Sequence, residues 1–149
     1  MKSTIAIIVL TVTTTAFAEK QIRKSEMPIA VQKTADQQSA GATVRGYAKD
    51  VENGRVEYEV ELLVNGHTKD VTMDPLGNVT EIEEQVEMTS LPASVSSALR
   101  KRANAGKITK VESLTKQGRL VAYEAQVVKN GRHSEIQVGP EGETLDHEE

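Results

Sequence analysis

The sequence predicts an α+β fold in which two tandem α-β-β-β(-β) repeats each form an antiparallel meander sheet packed by one helix. Three observations lead to this prediction. Two long stretches of the 149-residue chain match each other in order, and each stretch opens with an apolar residue followed by Pro. Each then continues with segments in which apolar and polar residues alternate, a pattern typical of half-buried strands. Inside these segments, Asn-Gly pairs indicate two-residue hairpin turns.

The internal repeat is visible as residue matches at a nearly constant offset. Met27-Pro28 matches Leu91-Pro92 at an offset of 64 residues, and one inserted residue later shifts the offset to 65. Ordered matches with a single insertion indicate duplication, so we expect one repeat at 25–88 and a second, with an acidic C-terminal tail, at 89–149. The further matches are Gly54-Arg55 with Gly118-Arg119, Tyr58-Glu59 with Tyr123-Glu124, Asn65-Gly66 with Asn130-Gly131, and Pro75-Leu-Gly77 with Pro140-Glu-Gly142.

Each repeat is predicted to begin with a helix. Pro28 and Pro92 suit the first helical turn, because backbone N–H groups there have no partner within the helix and the N–H that proline lacks costs no hydrogen bond. Leu91, Val95 and Leu99 follow at the spacing that places apolar side chains on one face of a helix.

The strands after each helix carry the clearest periodicity. In the first repeat, apolar residues from Val56 to Leu62 alternate with glutamates, which predicts one buried and one solvated face. The Asn65-Gly66 turn then sets Tyr58 opposite Met73, and Asn130-Gly131 sets Tyr123 opposite Val138. The remaining predicted strands are Thr43 to Val51, Lys107 to Leu114, Asn78 to Met88, and a short counterpart of the last at Glu143 to Leu145.

The N-terminus has the features of a secretory signal peptide at residues 1–18. Lys2 precedes a short apolar run that begins at Ile5, and Ala16-Phe17-Ala18 fits the small-x-small cleavage pattern. The run is shorter than the ~18–20 apolar residues of a membrane span, so no stable membrane anchor is expected after cleavage. We therefore predict a protein exported to the periplasm or the extracellular space, with a short linker at 19–24.

Composition excludes several functional classes. The chain has no Cys, so a disulfide scaffold, a thiolate zinc site and a Cys nucleophile are excluded. Its 22 acidic and 18 basic residues argue against nucleic acid as a partner. His67 and His133 have no evident partners in the predicted hairpins, His147 lies in the acidic tail, and no spacing indicates a nucleophilic triad. We expect no catalytic residues, no metal site, no cofactor and no enzymatic activity.

The predicted solvated face of the first repeat is strongly acidic. Like charges that face each other across a hairpin are destabilising. This face is either an ordinary solvated surface that discourages edge-to-edge aggregation, or a surface that docks a basic partner or a divalent cation. Its members are the candidate partner-binding residues Glu57, Glu59, Glu61, Asp70, Glu81 and Glu83.

The repeated motif resembles a known family. It consists of an apolar-Pro pair on a helix, Gly-Arg, Tyr-Glu, Asn-Gly and, in the first copy, Asp74-Pro-Leu-Gly-Asn78. This combination is similar to the PepSY-like repeat of exported bacterial proteins, and more narrowly to the tandem group described as beta-lactamase-inhibitor-like. The second copy departs from the pattern, with Gly139 and Glu143 in place of Asp74 and Asn78.

The resemblance implies a binding or inhibitory module without catalysis, which restrains peptidases or binds envelope partners. The chain after residue 18 has no Trp or Phe, and two of its three Tyr lie on the predicted buried face. Binding surfaces usually depend on large anchors, and only Tyr47 and some Arg remain for that role. Inhibition of a beta-lactamase itself is therefore not expected.

Three functional hypotheses follow. The leading one is a non-enzymatic exported module that binds a protein or peptide in the cell envelope, with regulation of a peptidase as one such role. The alternatives are a protein that binds a cation or small ligand through the acidic sheet face, and, as the least favoured, a hydrolase.

Overall fold

The part of the backbone that the structure describes forms one open antiparallel sheet of eight strands that carries two helices. The computed structural model describes residues 20–52, 54–147 and 149, so the predicted signal peptide at 1–18 lies outside the described residues. The strands are β1 (Lys20–Gln21), β2 (Thr43–Glu52), β3 (Arg55–Val64), β4 (His67–Met73), β5 (Val79–Gln85), β6 (Lys107–Lys116), β7 (Arg119–Lys129) and β8 (Arg132–Val138). The helices are α1 (Ile29–Gln38) and α2 (Ala93–Ala103), each preceded by a short 3-10 turn, at Lys24–Glu26 and Met88–Ser90.

The order of the strands in the sheet follows their order in the chain. The sequence predicted a meander sheet for each repeat and did not determine whether the two sheets join, and the structure joins all the described strands into one sheet. The joint is the antiparallel pairing of β5 with β6, in which Ile82 lies opposite Thr115 and Glu83 opposite Leu114. Because α2 and its flanking turns connect these two strands, no local pattern could have indicated this pairing. The α+β class is as predicted.

Both predicted hairpin registers are confirmed. Tyr58 lies opposite Met73 across β3 and β4, and Tyr123 lies opposite Val138 across β7 and β8. The turn residues Asn65, Gly66, Asn130 and Gly131 all have positive φ, as a type I′ turn requires. Such a turn has the same twist as the strands it joins, so it fixes their register.

Both helices pack on the same face of the sheet and bury separate apolar clusters. The helices begin directly after Pro28 and Pro92. Each proline is therefore the N-cap residue, just before the first helical turn in which it was predicted to lie. The cluster beneath α1 contains Met27, Val31, Ala35, Tyr58, Val60, Leu62, Val71 and Met73. The cluster beneath α2 contains Val95, Leu99, Val111, Ala125 and Val138. The opposite face of the sheet carries no helix among the described residues.

The end of the chain differs from its prediction. Glu143 to Leu145 was expected to form a short last strand, but these residues form none. They close a turn instead, since the amide of Gly139 donates to the carbonyl of Glu143, and the amide of Glu141 donates to the Glu143 carboxylate. β8 is therefore the last strand of the sheet.

Candidate functional site

Cross-strand pairing gathers acidic side chains on the face opposite the helices. Glu61 lies directly opposite Asp70, and Asp70 lies directly opposite Glu83, so the three residues form a row across β3, β4 and β5. All six candidate residues predicted from the sequence lie on this face, which we call the acidic face. Its carboxylates include those of Asp50, Glu57, Glu59, Glu61, Asp70, Glu81, Glu83, Glu112, Glu124 and Glu135.

Part of the acidic face comes from the second half of the chain. Glu112 on β6 lies opposite Gln85 on one side and Glu124 on the other, so the acidic surface continues beyond the first repeat. Glu112 and Glu124 were not predicted from the sequence to belong to this face, although Glu124 matches Glu59 in the repeat. Glu112 gave no such signal, because its repeat-equivalent residue is Ala48.

Three carboxylates meet at the centre of the acidic face. Asp70, Glu83 and Glu112 each place one oxygen within 4.8 Å of the others. Glu112 is only 3% exposed, and Asp70 and Glu83 are partly buried. The ammonium of Lys110 lies 2.6 Å from Oε1 of Glu112 and supplies a positive charge beside the group.

The crowding of these carboxylates changes their acidity. Burial, followed by repulsion from Glu124, Glu81, Glu112 and Asp70, raises the pKa of Glu83 to about 8. Burial also raises the pKa of Asp70, although the nearby cations Lys110 and Arg45 act in the opposite direction. The centre of the acidic face therefore holds a proton at neutral pH.

Polar contacts hold the surrounding carboxylates in place. Gln21 donates from Nε2 to Oε1 of Glu61 at 2.7 Å, which ties the short β1 to the acidic face. Gln137 donates in the same way to Oε2 of Glu124 at 2.8 Å. These contacts join Glu61 to β1 and Glu124 to β8.

A small depression of about 140 Å³ on the acidic face is lined by Asp50, Glu57, Tyr58, Glu59, Thr72 and Glu81. Its lining has carboxylates but no histidine and no nucleophile activated by a base.

His67 was expected to lack a partner, and this is wrong: its Nε2 lies 3.3 Å from Oε1 of Glu87.

Two further residues singled out from the sequence have structural roles. Tyr47 was expected to be available as a binding anchor, but it is half-buried and packs against the apolar cluster beneath α1. The carboxylate of Asp74 accepts hydrogen bonds from the amides of Leu76 and Asn78 within its own turn. The side-chain amide of Asn78 also donates to Oδ2 of Asp74 at 2.8 Å, and this bond, followed by the backbone bonds, holds the pKa of Asp74 below its usual range.

The fold is BLIP-like, that is, beta-lactamase-inhibitor-like, as a comparison with solved structures shows. A protein from Bacteroides eggerthii that is inferred to be periplasmic has a TM-score of 0.65 at 20% identity, covering 80% of this chain and 86% of that chain. A DUF2874 family protein from Bacteroides ovatus has a TM-score of 0.62 at 19% identity, covering 80% and 85%. A BLIP-like protein from Bacteroides fragilis has a TM-score of 0.56 at 22% identity, covering 83% and 85%.

At these identities the likeness shows the fold alone. None of these three relatives is named as a PepSY protein, so that part of the resemblance stays a prediction. No protein-family model matches the sequence, and no curated protein matches it significantly. Within the described residues, no helix has the length and apolar character needed to cross a membrane.

Proposed function

We propose that this chain is an exported, non-enzymatic module that binds a basic protein or peptide of the cell envelope through its acidic face. The observation that carries this proposal is the concentration of partly buried carboxylates on a sheet face that no described helix covers. Export is the location that residues 1–18 predict, and the periplasmic assignment of the Bacteroides eggerthii relative agrees with it.

The electrostatics of the acidic face support a basic partner. Facing carboxylates such as Glu61 and Asp70 repel each other, so the free protein is destabilised by its own surface charge. A cationic partner would relieve this repulsion and would be attracted from a distance, which raises the association rate. A peptidase regulator is one such module, as the family resemblance implies.

We also propose that 25–88 and 89–149 are tandem repeats of one unit. Gly77 and Gly142 support this, because both have positive φ and both approach the backbone of a helix. A Cβ on either residue would lie 2.7 Å from a helical carbonyl oxygen, that of Ala30 in the first case and of Ser94 in the second. The same close approach at matching positions is expected of duplicated units.

Site-specific photocrosslinking tests the proposed function. Benzoylphenylalanine replaces Thr72, which lies between Glu59 and Glu81 on the acidic face. The matched control replaces Lys33, which is exposed on α1. We expect envelope extract to give crosslinked products from Thr72 that high salt and excess polylysine suppress. Equal products from both positions, or products from Lys33 alone, would refute a partner on the acidic face.

Cation binding is the second candidate function, and the Asp70, Glu83 and Glu112 cluster favours it. Hard divalent cations such as Ca²⁺ take carboxylate oxygens as ligands, and these three oxygens lie within 4.8 Å of one another. A cation here would have to displace the proton of Glu83 and compete with Lys110 for Glu112. Its affinity would therefore rise with pH.

Thermal unfolding in millimolar Ca²⁺ or Mg²⁺ tests this candidate. A bound cation should raise Tm more at about pH 9 than at about pH 6, because protons and cations compete for Glu83. Glu83→Gln should abolish the increase, and Glu84→Gln, on the other face of β5, should retain it. An increase that survives Glu83→Gln would rule out this cluster as the cation site.

A further inference from the structure

The outer edge of β8 is an unpaired sheet edge. Because a two-residue turn joins β7 to β8, Arg132, Ser134 and Ile136 exchange backbone hydrogen bonds with β7. The alternating positions, His133 and Glu135, direct their N–H and C=O groups away from the sheet. No strand among the described residues pairs with this side of β8, and its side chains are exposed from Arg132 to Glu135.

The two edges of the sheet differ in ways that favour β8 as an attachment point. At the other edge, β1 covers part of β2, and a bulge between Val44 and Gly46 interrupts the β2–β3 register. Coverage and bulges are common protections against strand addition. β8 pairs with β7 without a register shift, so its free edge is regular.

A depression of about 380 Å³ lies beside this edge. It is lined by Gln126 of β7 and by three consecutive residues of β8, His133, Ser134 and Glu135. The β8 residues with the outward backbone groups, His133 and Glu135, therefore border this depression.

The charges along the edge determine which strand fits. Glu135 stands on the acidic face at the rim, so a residue directly opposite it in an added strand would meet its carboxylate. A second copy of β8, paired antiparallel about Glu135, would place two Glu135 side chains opposite each other, which is destabilising. A strand with a basic residue at every second position would instead form a cross-strand ion pair here.

We propose that an extended segment with Lys or Arg at alternate positions adds antiparallel to the outer edge of β8 as a ninth strand. This proposal rests on the proposed function for the positive charge of the partner, and it adds the mode of attachment. The basic side chains lie on the acidic face, and the backbone of the segment bonds to His133 and Glu135. Backbone bonds supply affinity in this mode, and alternate side chains supply specificity.

Synthetic peptides test the attachment directly. The probe is the capped peptide Lys-Val-Lys-Val-Lys-Val-Lys, and its affinity is measured by calorimetry. In an antiparallel addition the Lys N–H groups face β8 and the Val N–H groups face solvent. N-methylation of the central Lys residues should weaken binding at least about tenfold, because it removes backbone hydrogen bonds to β8. N-methylation of the Val residues should change the affinity by less than about threefold, since it removes none of them.

A pair of protein variants provides a second readout. His133→Pro removes the outward N–H but retains the hydrogen bonds to β7, a substitution that edge strands tolerate. His133→Ala removes the same side chain and keeps the N–H. We expect loss of binding for His133→Pro and near-normal binding for His133→Ala. The methylated peptides keep the proposal testable if His133→Pro does not fold.

The outcomes separate this proposal from the proposed function. Failure of the parent peptide to bind, or equal weakening by both methylation patterns, would overturn addition to β8. Binding that ignores methylation but falls in a Glu135→Gln variant would overturn it too, while the acidic face kept its role. Binding that depends on the Lys N–H groups but not on Glu135 would confirm the edge and contradict the preference for basic side chains that is taken from the proposed function.

Discussion

The ammonium of Lys110 lies 2.6 Å from Oε1 of Glu112, whose side chain is only 4% exposed. A carboxylate this deeply buried is costly unless it is paired. Thr68 adds a long contact of 3.5 Å from its hydroxyl to the same oxygen. Lys110 is therefore the cation that directly contacts the buried carboxylate at the centre of the acidic face.

Lys110→Met should lower the free energy of unfolding by about 2–4 kcal/mol, because it leaves Glu112 buried without a counter-charge. Replacing both residues, as Lys110→Met/Glu112→Leu, should recover most of the loss. Urea unfolding at neutral pH measures these differences. Lys116→Met is the control, since Lys116 is 35% exposed and 3.6 Å from Glu81, and should cost less than about 1 kcal/mol. Equal losses for the two lysine variants would contradict the special role of Lys110.

Glu83 should make the stability of the protein decrease as pH rises. Its pKa is raised from 4.5 to about 8 in the folded protein, so the folded state holds a proton that the unfolded chain releases. The stabilisation by this proton is complete below the pKa of the unfolded chain. It is lost progressively as pH rises from about 4.5 through about 8.

Glu83→Gln tests this dependence, because the amide is neutral at every pH. We expect it to raise the free energy of unfolding by on the order of 2–3 kcal/mol at about pH 9 and to change little at about pH 4. Chemical unfolding across the pH range is the measurement. Glu84→Gln, one residue along β5 and on the other face, should leave the pH profile unchanged. If Glu83→Gln changed the free energy of unfolding by the same amount at every pH, the result would contradict the raised pKa of Glu83.

The close approach of Gly77 to α1 should make this position intolerant of a side chain. Gly77→Ala would place a Cβ 2.7 Å from the carbonyl oxygen of Ala30 and would also strain a positive φ. Gly66 has positive φ too, but a Cβ on that residue would meet no atom within 4 Å. We expect Gly66→Ala to cost about 1–2 kcal/mol from φ alone and Gly77→Ala about 1–2 kcal/mol more. Equal costs in urea unfolding would show that the contact with α1 is unimportant.

The hairpins and much of the acidic face could be predicted because they depend on local patterns. Asn65-Gly66 fixes a register, and strict alternation then assigns Glu57, Glu59 and Glu61 to one face. Glu112 could not be predicted as the buried member of the carboxylate cluster. Its strand has a bulge between Ile108 and Lys110, and its partner on β5 comes from the other half of the chain. Whether the two repeats share one sheet could not be determined from the sequence for the same reason, since non-local pairing has no local signature.

Charge reversal on the acidic face should separate stability from binding. Glu61→Lys would place a cation opposite Asp70 in place of an anion, so we expect Tm to rise by about 2–4 °C. The same change should reduce crosslinking from Thr72, because the partner is basic. Glu84→Lys is the control on the other face and should leave crosslinking unchanged. A Glu61→Lys variant that is more stable and crosslinks normally would mean that the acidic face is only a solvated surface.

The central claim is that the acidic face is the binding surface, and carboxyl footprinting tests it most directly. The purified protein is labelled with carbodiimide and glycine ethyl ester, alone and in envelope extract, and each carboxylate is quantified by mass spectrometry. We predict that labelling of Glu57, Glu59 and Glu61 falls in the extract while that of Asp36 and Glu84 stays constant. Unchanged labelling of the three glutamates, with protection at Asp36 or Glu84 instead, would contradict the claim.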